Sequence, residues 1–293
     1  MNGTSRVRTA SSRARSLPTF RLAPTWPFSC GSQPPSAEIL KGASAALHGT
    51  PYELLAYAGA PSGGGSGWER RHLSRLSGTL IDGAILVTPS VVDPDAEIPL
   101  VTVDPHTGPA GLPSVASDNV IGATMATRHL LELGHRRIAF MAGRADLRSS
   151  MQRQEGYTRA LAQAGIALDL SLVEDGSYSR QIARTPAFEL LSRPDRPTAV
   201  FAANDLSALG TMDLAHELGQ RIPDELSVIG FDDVPEAARS RPPLSPVRQP
   251  LQRMGHVAVD ILLSLLAEAP VEQTSVVLPT SLVRRGTTAP PPG

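Results

Sequence analysis

The chain has 293 residues, a formal net charge of −1 and only 4% aromatic side chains. That length holds one large α/β unit or two smaller lobes, and the balanced charge gives the chain as a whole no electrostatic footprint for nucleic acid. The single Cys30 excludes an internal disulfide framework and a multi-cysteine metal site, and no apolar run reaches the roughly 18 residues of a membrane span, so a cytoplasmic protein is expected.

The first 33 residues carry Arg6, Arg8, Arg13, Arg15 and Arg21, no acid, and no apolar core of the kind an export signal requires. Pro18, Pro24 and Pro27 break any long helix, and no amphipathic pattern suits a DNA-recognition helix. Residues 1–33 are therefore expected to form an atypical, disordered leader, most simply the product of a misread start.

The character changes near Gln33-Pro34-Pro35, where helices and strands begin to alternate. A helix is predicted from Ala37 to Leu47, a strand over Tyr52–Tyr57, a flexible loop over Gly59–Gly67, a helix around Trp68–Leu76, and strands at Gly83–Val87 and Leu100–Val103. Val120–Leu133 places Ile121, Met125, Leu130 and Leu133 near a 3.6 period, and Gly134 stands where a glycine ends a helix. Strands at Arg137–Met141, Leu172–Glu174, Thr198–Ala203 and Leu226–Phe231 alternate with helices at Met151–Ala164, Gln181–Leu191 and one capped by Asn204 or Asp205. A last helix, Leu251–Leu266, and two short β segments at Ser275–Leu278 and Leu282–Arg284 lead to a Pro-rich tail.

This order predicts an α/β fold of two doubly wound parallel-sheet lobes. The first lobe would hold 34–116 plus about 248–273, the second 117–247 plus about 274–288, with 289–293 as a tail. Several strands end in an acid or amide: Leu100–Val103 before Asp104, Val200–Ala203 before Asn204, and Val228–Phe231 before Asp232. Ligands of open α/β sheets bind outside the carboxyl ends of the strands, so these residues point to a site for a polar small molecule. Singly, each would as readily be a cap or turn former.

Enzymatic readings find little support. Gly63-Gly64-Gly65-Ser66-Gly67 lacks the Lys-Ser/Thr of a phosphate loop, no G-x-G-x-x-G follows a strand, and Asp232-Asp233 has no companion nucleophile or base. His129 and His135, six apart, share no helical face and are not expected to hold a metal. No cofactor is expected.

The strings Asp118-Asn119-Val120-Ile121-Gly122-Ala123, His129–Ala139, Arg153-Gln154-Glu155-Gly156-Tyr157, Phe201–Asp205, Leu226–Asp233, Val247-Arg248-Gln249-Pro250 and Leu282–Thr288 occur in order. Together they resemble the effector-binding region of the LacI/GalR family of bacterial transcription regulators, over roughly Pro34–Thr288. The resemblance implies a periplasmic-binding-protein-like pair of lobes (type I), joined by several crossovers. An effector, often a sugar or nucleobase, lies between them, and cleft closure resets paired DNA-binding heads on an operator. By position it implies that Asp104, Arg153, Asn204 and Asp232 contact the effector, that Tyr178 lies against it, and that Gln249 sits in the cleft. A homodimer is implied as well. A solute-binding protein feeding a sugar transporter is the alternative, against which the lack of an export signal counts.

The departure is at the start. The family opens with a helix-turn-helix, and nothing before Gln33 reads that way, so the residues give no basis for assigning operator binding to this chain. The family's first effector-domain strand should also precede Pro34, where Thr25–Gly31 makes a poor parallel strand; losing it would deprive its neighbours of a shared partner.

Overall fold

Two six-stranded sheets organise the chain. The computed structural model describes residues 19–24, 34–56, 81–89, 98–106, 108 and 111–292; the Gly63–Gly67 loop and the Trp68–Leu76 helix lie outside the described residues. The first sheet is built from β1 (Thr19–Pro24), β2 (Glu53–Ala56), β3 (Gly83–Val87), β4 (Leu100–Val103) and β5 (Ser114–Ser117), with α1 (Pro34–Ala46) between β1 and β2. The chain then runs through α2 (Asn119–Glu132), β6 (Ile138–Ala142), α3 (Arg148–Gln163), β7 (Val173–Asp175), α4 (Arg184–Leu191), β8 (Ala199–Ala202), α5 (Asp205–Glu217), β9 (Ser227–Asp232), α6 (Pro235–Arg239) and β10 (Ser245–Arg248). It returns with α7 (Leu251–Leu266), β11 (Ser275–Leu278) and β12 (Ser281–Leu282).

Strand order is β11-β5-β4-β3-β1-β2 in the first sheet and β12-β10-β9-β8-β6-β7 in the second. Strand pairing is parallel except for the short β12 against β10. Central strands β3, β4, β8 and β9 are buried along their whole length, as the near-continuous apolar runs require when helices cover both faces. Each sheet has a core on either side. In the second lobe, α4 and α5 close one face and α2 and α3 the other.

Two expectations are corrected. Residues 1–33 are not without structure: β1 lies between β2 and β3, with Phe20 in register with both Leu54 and Gly83. The missing first strand is Thr19–Pro24, upstream of the Thr25–Gly31 stretch where it was sought. Its Thr-Phe-Arg-Leu alternation is hidden among arginines and serines, and Pro24, a residue that argues against an internal strand, falls at its last position. The second correction concerns 274–288. Ser275–Leu278 pairs with β5 in the first sheet, so the chain passes to the second lobe only after Leu278. Residues 1–18 and 25–33 of the expected leader lie outside the described residues.

Helices α1 and α7 cross so closely that each needs a glycine. A Cβ on Gly42 would overlap the carbonyl oxygen of Gln252, and one on Gly255 that of Ile39. Backbone cannot swing aside as a flexible side chain does. Gly255→Ala is therefore expected to lower unfolding free energy by about 2 kcal/mol through overpacking, read as an earlier urea midpoint. An unchanged midpoint would mean that the crossing has slack.

The C-terminal segment is fastened to the second lobe. Val228 N–H donates to Thr287 O (2.8 Å), and Thr287 Oγ1 donates to Val228 O (2.6 Å). His135 Nε2 lies 2.8 Å from Ala289 O and its Nδ1 2.9 Å from Thr198 Oγ1, while His129 Nε2 meets Thr288 Oγ1 at 3.1 Å. Both histidines thus anchor the chain end.

Candidate functional site

Because strands in each sheet run parallel, their carboxyl ends open on one side. Asp104 follows β4, Tyr178 follows β7, Asn204 follows β8, Asp232 ends β9 and Gln249 follows β10. Arg153 projects from the second turn of α3. All six line a single cleft, with Thr88, His106, Leu147 and Ser149, and with Pro35, Ile39, Leu251 and Met254 from the first lobe's helices. The structure therefore brings together every residue the sequence singled out.

Arg153 is 3% exposed. Its Nε donates to Asn119 Oδ1 (2.9 Å), its Nη1 to Ala203 O (2.6 Å) and, more loosely, to Asp232 Oδ1 (3.4 Å). The guanidinium lies 3.9 Å from the Phe231 ring centroid and 5.7 Å from that of Tyr178. A planar fork can serve several acceptors and lie on an aromatic face at once; an ammonium could not.

Asp232 Oδ1 also accepts from Gln249 Nε2 (2.6 Å), and Gln249 Oε1 accepts from Ser117 Oγ, which ties the crossover to the first sheet. The other Asp232 oxygen has no hydrogen bond among the described residues. Asn204 does two jobs. Its Oδ1 accepts from Ser207 N–H (2.9 Å) as the cap of α5, and its Nδ2 donates to Tyr178 O (3.2 Å). Capping and cleft-lining are thus compatible. The Asp104 side chain accepts no hydrogen bond among the described residues; its backbone N–H bonds Val115 O at 2.9 Å.

Burial dominates the electrostatics. It raises Asp232 to about 6, although Arg153 and Gln249 oppose the rise. Burial also raises Asp104, against the pull of Arg153 and Arg148, and raises the Tyr178 phenol. Two carboxyls thus face one arginine whose Nε and Nη1 hydrogens already have protein acceptors, while its Nη2 has none among the described residues.

The backbone is strained at the same place. Thr88, Asp104, Ser177, Tyr178, Asp232 and Asp233 all have positive φ, between 48° and 117°, and all follow or end a strand. Such conformations cost about 1–3 kcal/mol each and persist where surroundings over-determine them, commonly at ligand sites. Gly143 belongs to this packing, since a Cβ there would enter the Tyr178 ring.

Sequence reasoning missed several members. Asn119 orients Arg153, and Ser117 orients Gln249; both lie in or beside the Asp118-Asn119 string, which offered the signal. His106 and Thr88 line the cleft from first-lobe loops with no motif to announce them. His106 O accepts from Arg148 N–H (3.2 Å), which joins a first-lobe loop to the start of α3 across the cleft.

Comparison with known proteins places the chain among regulators. A family described as a periplasmic binding protein-like domain matches residues 127–288. The HTH-type transcriptional regulator CelR of Thermobifida fusca is 33% identical over 268 residues, covering 87% of this chain and 76% of its own. The HTH-type transcriptional repressor PurR of Vibrio atlanticus is 30% identical over 258 residues, covering 86% of this chain and 76% of its own. A solved CelR–cellobiose complex superposes with a TM-score of 0.80 at 30% identity, over 92% of this chain and 84% of that one.

Proposed function

Because the chain belongs to the LacI/GalR family of transcriptional regulators, we propose that it responds to an uncharged, hydroxyl-rich small molecule, such as a sugar, held by Asp104, Arg153, Tyr178, Asn204, Asp232 and Gln249. The observation that carries this reading is the excess of acceptors. Asp104 and one oxygen of Asp232 await donors, whereas Arg153 has committed its Nε and Nη1 to Asn119, Ala203 and Asp232 and offers the cleft Nη2 alone. Hydroxyl groups supply donors to carboxylates through strong charge-assisted bonds, and a phosphate would meet like charge instead. A site built for hydroxyls also rejects analogues that lack them, because its own polar groups would be left unpaired.

Asp104 belongs to the first lobe and Asp232 to the second, so a molecule bonded to both holds the cleft closed. Closure of this kind is the hinge switch by which the family resets its paired DNA-binding heads. The protein then acts as a cytoplasmic homodimer. Light scattering tests the dimer, and a purely monomeric chain would remove it.

The effector reading is tested by thermal unfolding with D-ribose, D-glucose and cellobiose, beside D-ribose 5-phosphate and D-glucose 6-phosphate. An uncharged sugar at a hundredfold excess over its Kd is expected to add about 2.7 kcal/mol of apparent stability. A larger shift from either phosphate ester would overturn the charge argument.

A further inference from the structure

We propose that Asp205 is a positioning residue for the effector site: buried beneath the cleft, it pins the turn that presents Asp232. The inference rests on the effector reading above. Asp205 opens α5 and is fully buried, yet it does not line the cleft. Its Oδ2 accepts the N–H of Val234 at 2.8 Å. Val234 caps α6 and has no side-chain partner of its own to fix that end.

The turn needs such a pin. Asp232 has φ +117° and Asp233 φ +63°, both in the region unfavourable for side-chain-bearing residues. Arg248 and Arg285 grip the Asp233 carboxylate at 2.6 Å each. Gln249 N–H reaches Asp232 O at 3.2 Å. Asp205 supplies the remaining hold, on the backbone after both aspartates. Room for it is made by Gly230, where a Cβ would overlap Asp205 Oδ1.

The carboxyl works as a neutral acceptor. Its Oδ1 is buried with no hydrogen-bond partner among the described residues. The charged groups nearest the turn are Asp232 with Arg153 against it, and Asp233 with Arg248 and Arg285. Burial, then the charge of Asp232, push the Asp205 acid well above the usual carboxylate range. An unpartnered ionised oxygen there would carry a heavy desolvation cost, which a proton removes. An amide can replace a neutral acid in this role, and a methyl group cannot.

The test begins without any ligand. Carbon-13 carboxyl shifts should show Asp205 still protonated above the pH at which an ordinary carboxylate ionises. Hydrogen exchange at the Val234 amide should stay slow in wild type and in Asp205→Asn, and quicken at least tenfold in Asp205→Ala. With D-ribose, D-glucose and cellobiose as probes, Asp205→Asn should keep the wild-type Kd and Asp205→Ala should lose at least tenfold. Titration of Asp205 in the ordinary carboxylate range, or fast Val234 exchange in Asp205→Asn, overturns the proposal; these two readings stand even if Asp205→Ala does not fold. If none of the three sugars binds wild type, the effector reading fails, and the ligand-free spectra still decide whether Asp205 pins the turn.

Discussion

Arg153→Ala is expected to abolish sugar-induced stabilisation and to lower unfolding free energy by about 3–5 kcal/mol, the usual cost of removing one partner from a buried charge pair. The change strands two acceptors, Asn119 Oδ1 and Ala203 O, and leaves Asp232 Oδ1 with Gln249 as its one donor. It also opens a void under Phe231, whose ring the guanidinium covers. Most of the loss is the penalty of leaving Asp232 buried beside no cation, so a variant that also neutralises Asp232 should recover part of it. Arg153→Lys keeps the charge without the fork and should fall between. Urea unfolding with and without D-glucose, D-ribose or cellobiose separates the two effects. A wild-type ligand shift in Arg153→Ala would move the binding site elsewhere.

Sugar affinity is expected to fall about tenfold per pH unit below the Asp232 midpoint of about 6, and to be flat above it. A ligand hydroxyl donates to the carboxylate, so a proton on Asp232 competes with it. The ligand-free protein should respond in the opposite sense. Asp232 is raised in the folded state above its ordinary value of 3.8, so the folded chain binds its proton more tightly than the unfolded one. That contribution is fully present below about pH 3.8 and is lost as pH rises through about 6. Asp104 is raised by burial and acts in the same direction. Asp146 and Asp169 are lowered by their hydrogen bonds to Arg144 and Ser171, and they withdraw stability only as pH falls into the carboxylate range. The difference between wild type and Asp232→Asn isolates the effect. Isothermal titration from pH 5 to pH 8 should give a sloping wild type and a flatter variant. Equal slopes would assign the pH dependence to another group.

The candidate site was unusually legible because strand ends carry their chemistry in the sequence. An apolar run that stops at Asp or Asn is visible without coordinates, and parallel pairing then sends those ends to one side. Asp104, Asn204 and Asp232 were found in this way, and the family register added Arg153, Tyr178 and Gln249. Asn204 shows why the capping reading and the ligand reading need not compete, since its two amide atoms serve both. Asp205 was read only as a possible cap. Its burial, and its reach to Val234 across 29 positions, belong to packing rather than to local pattern.

Short strands were the hardest to read. Ser114–Ser117 and Ser245–Arg248 contain four residues each, with polar ends and, in the second, a proline. They are strands because β4 and β9 offer paired edges. Strand β1 was obscured in the same manner, since its six residues gain their identity from two neighbours that follow much later in the chain.

By itself the sequence determined the alternation of buried strands and amphipathic helices, the two-lobed class of fold, and the polar residues at the strand ends. These follow from periodicity and from caps, which are local. Only the tertiary structure decided that Thr19–Pro24 completes the first sheet, that Ser275–Leu278 stays with it, that Arg153 donates to three acceptors, and that Asp205 stands under the turn of Asp232. Those outcomes depend on hydrogen bonds and exclusion of water between segments far apart in the chain, where nearby residues hold no record of the partner.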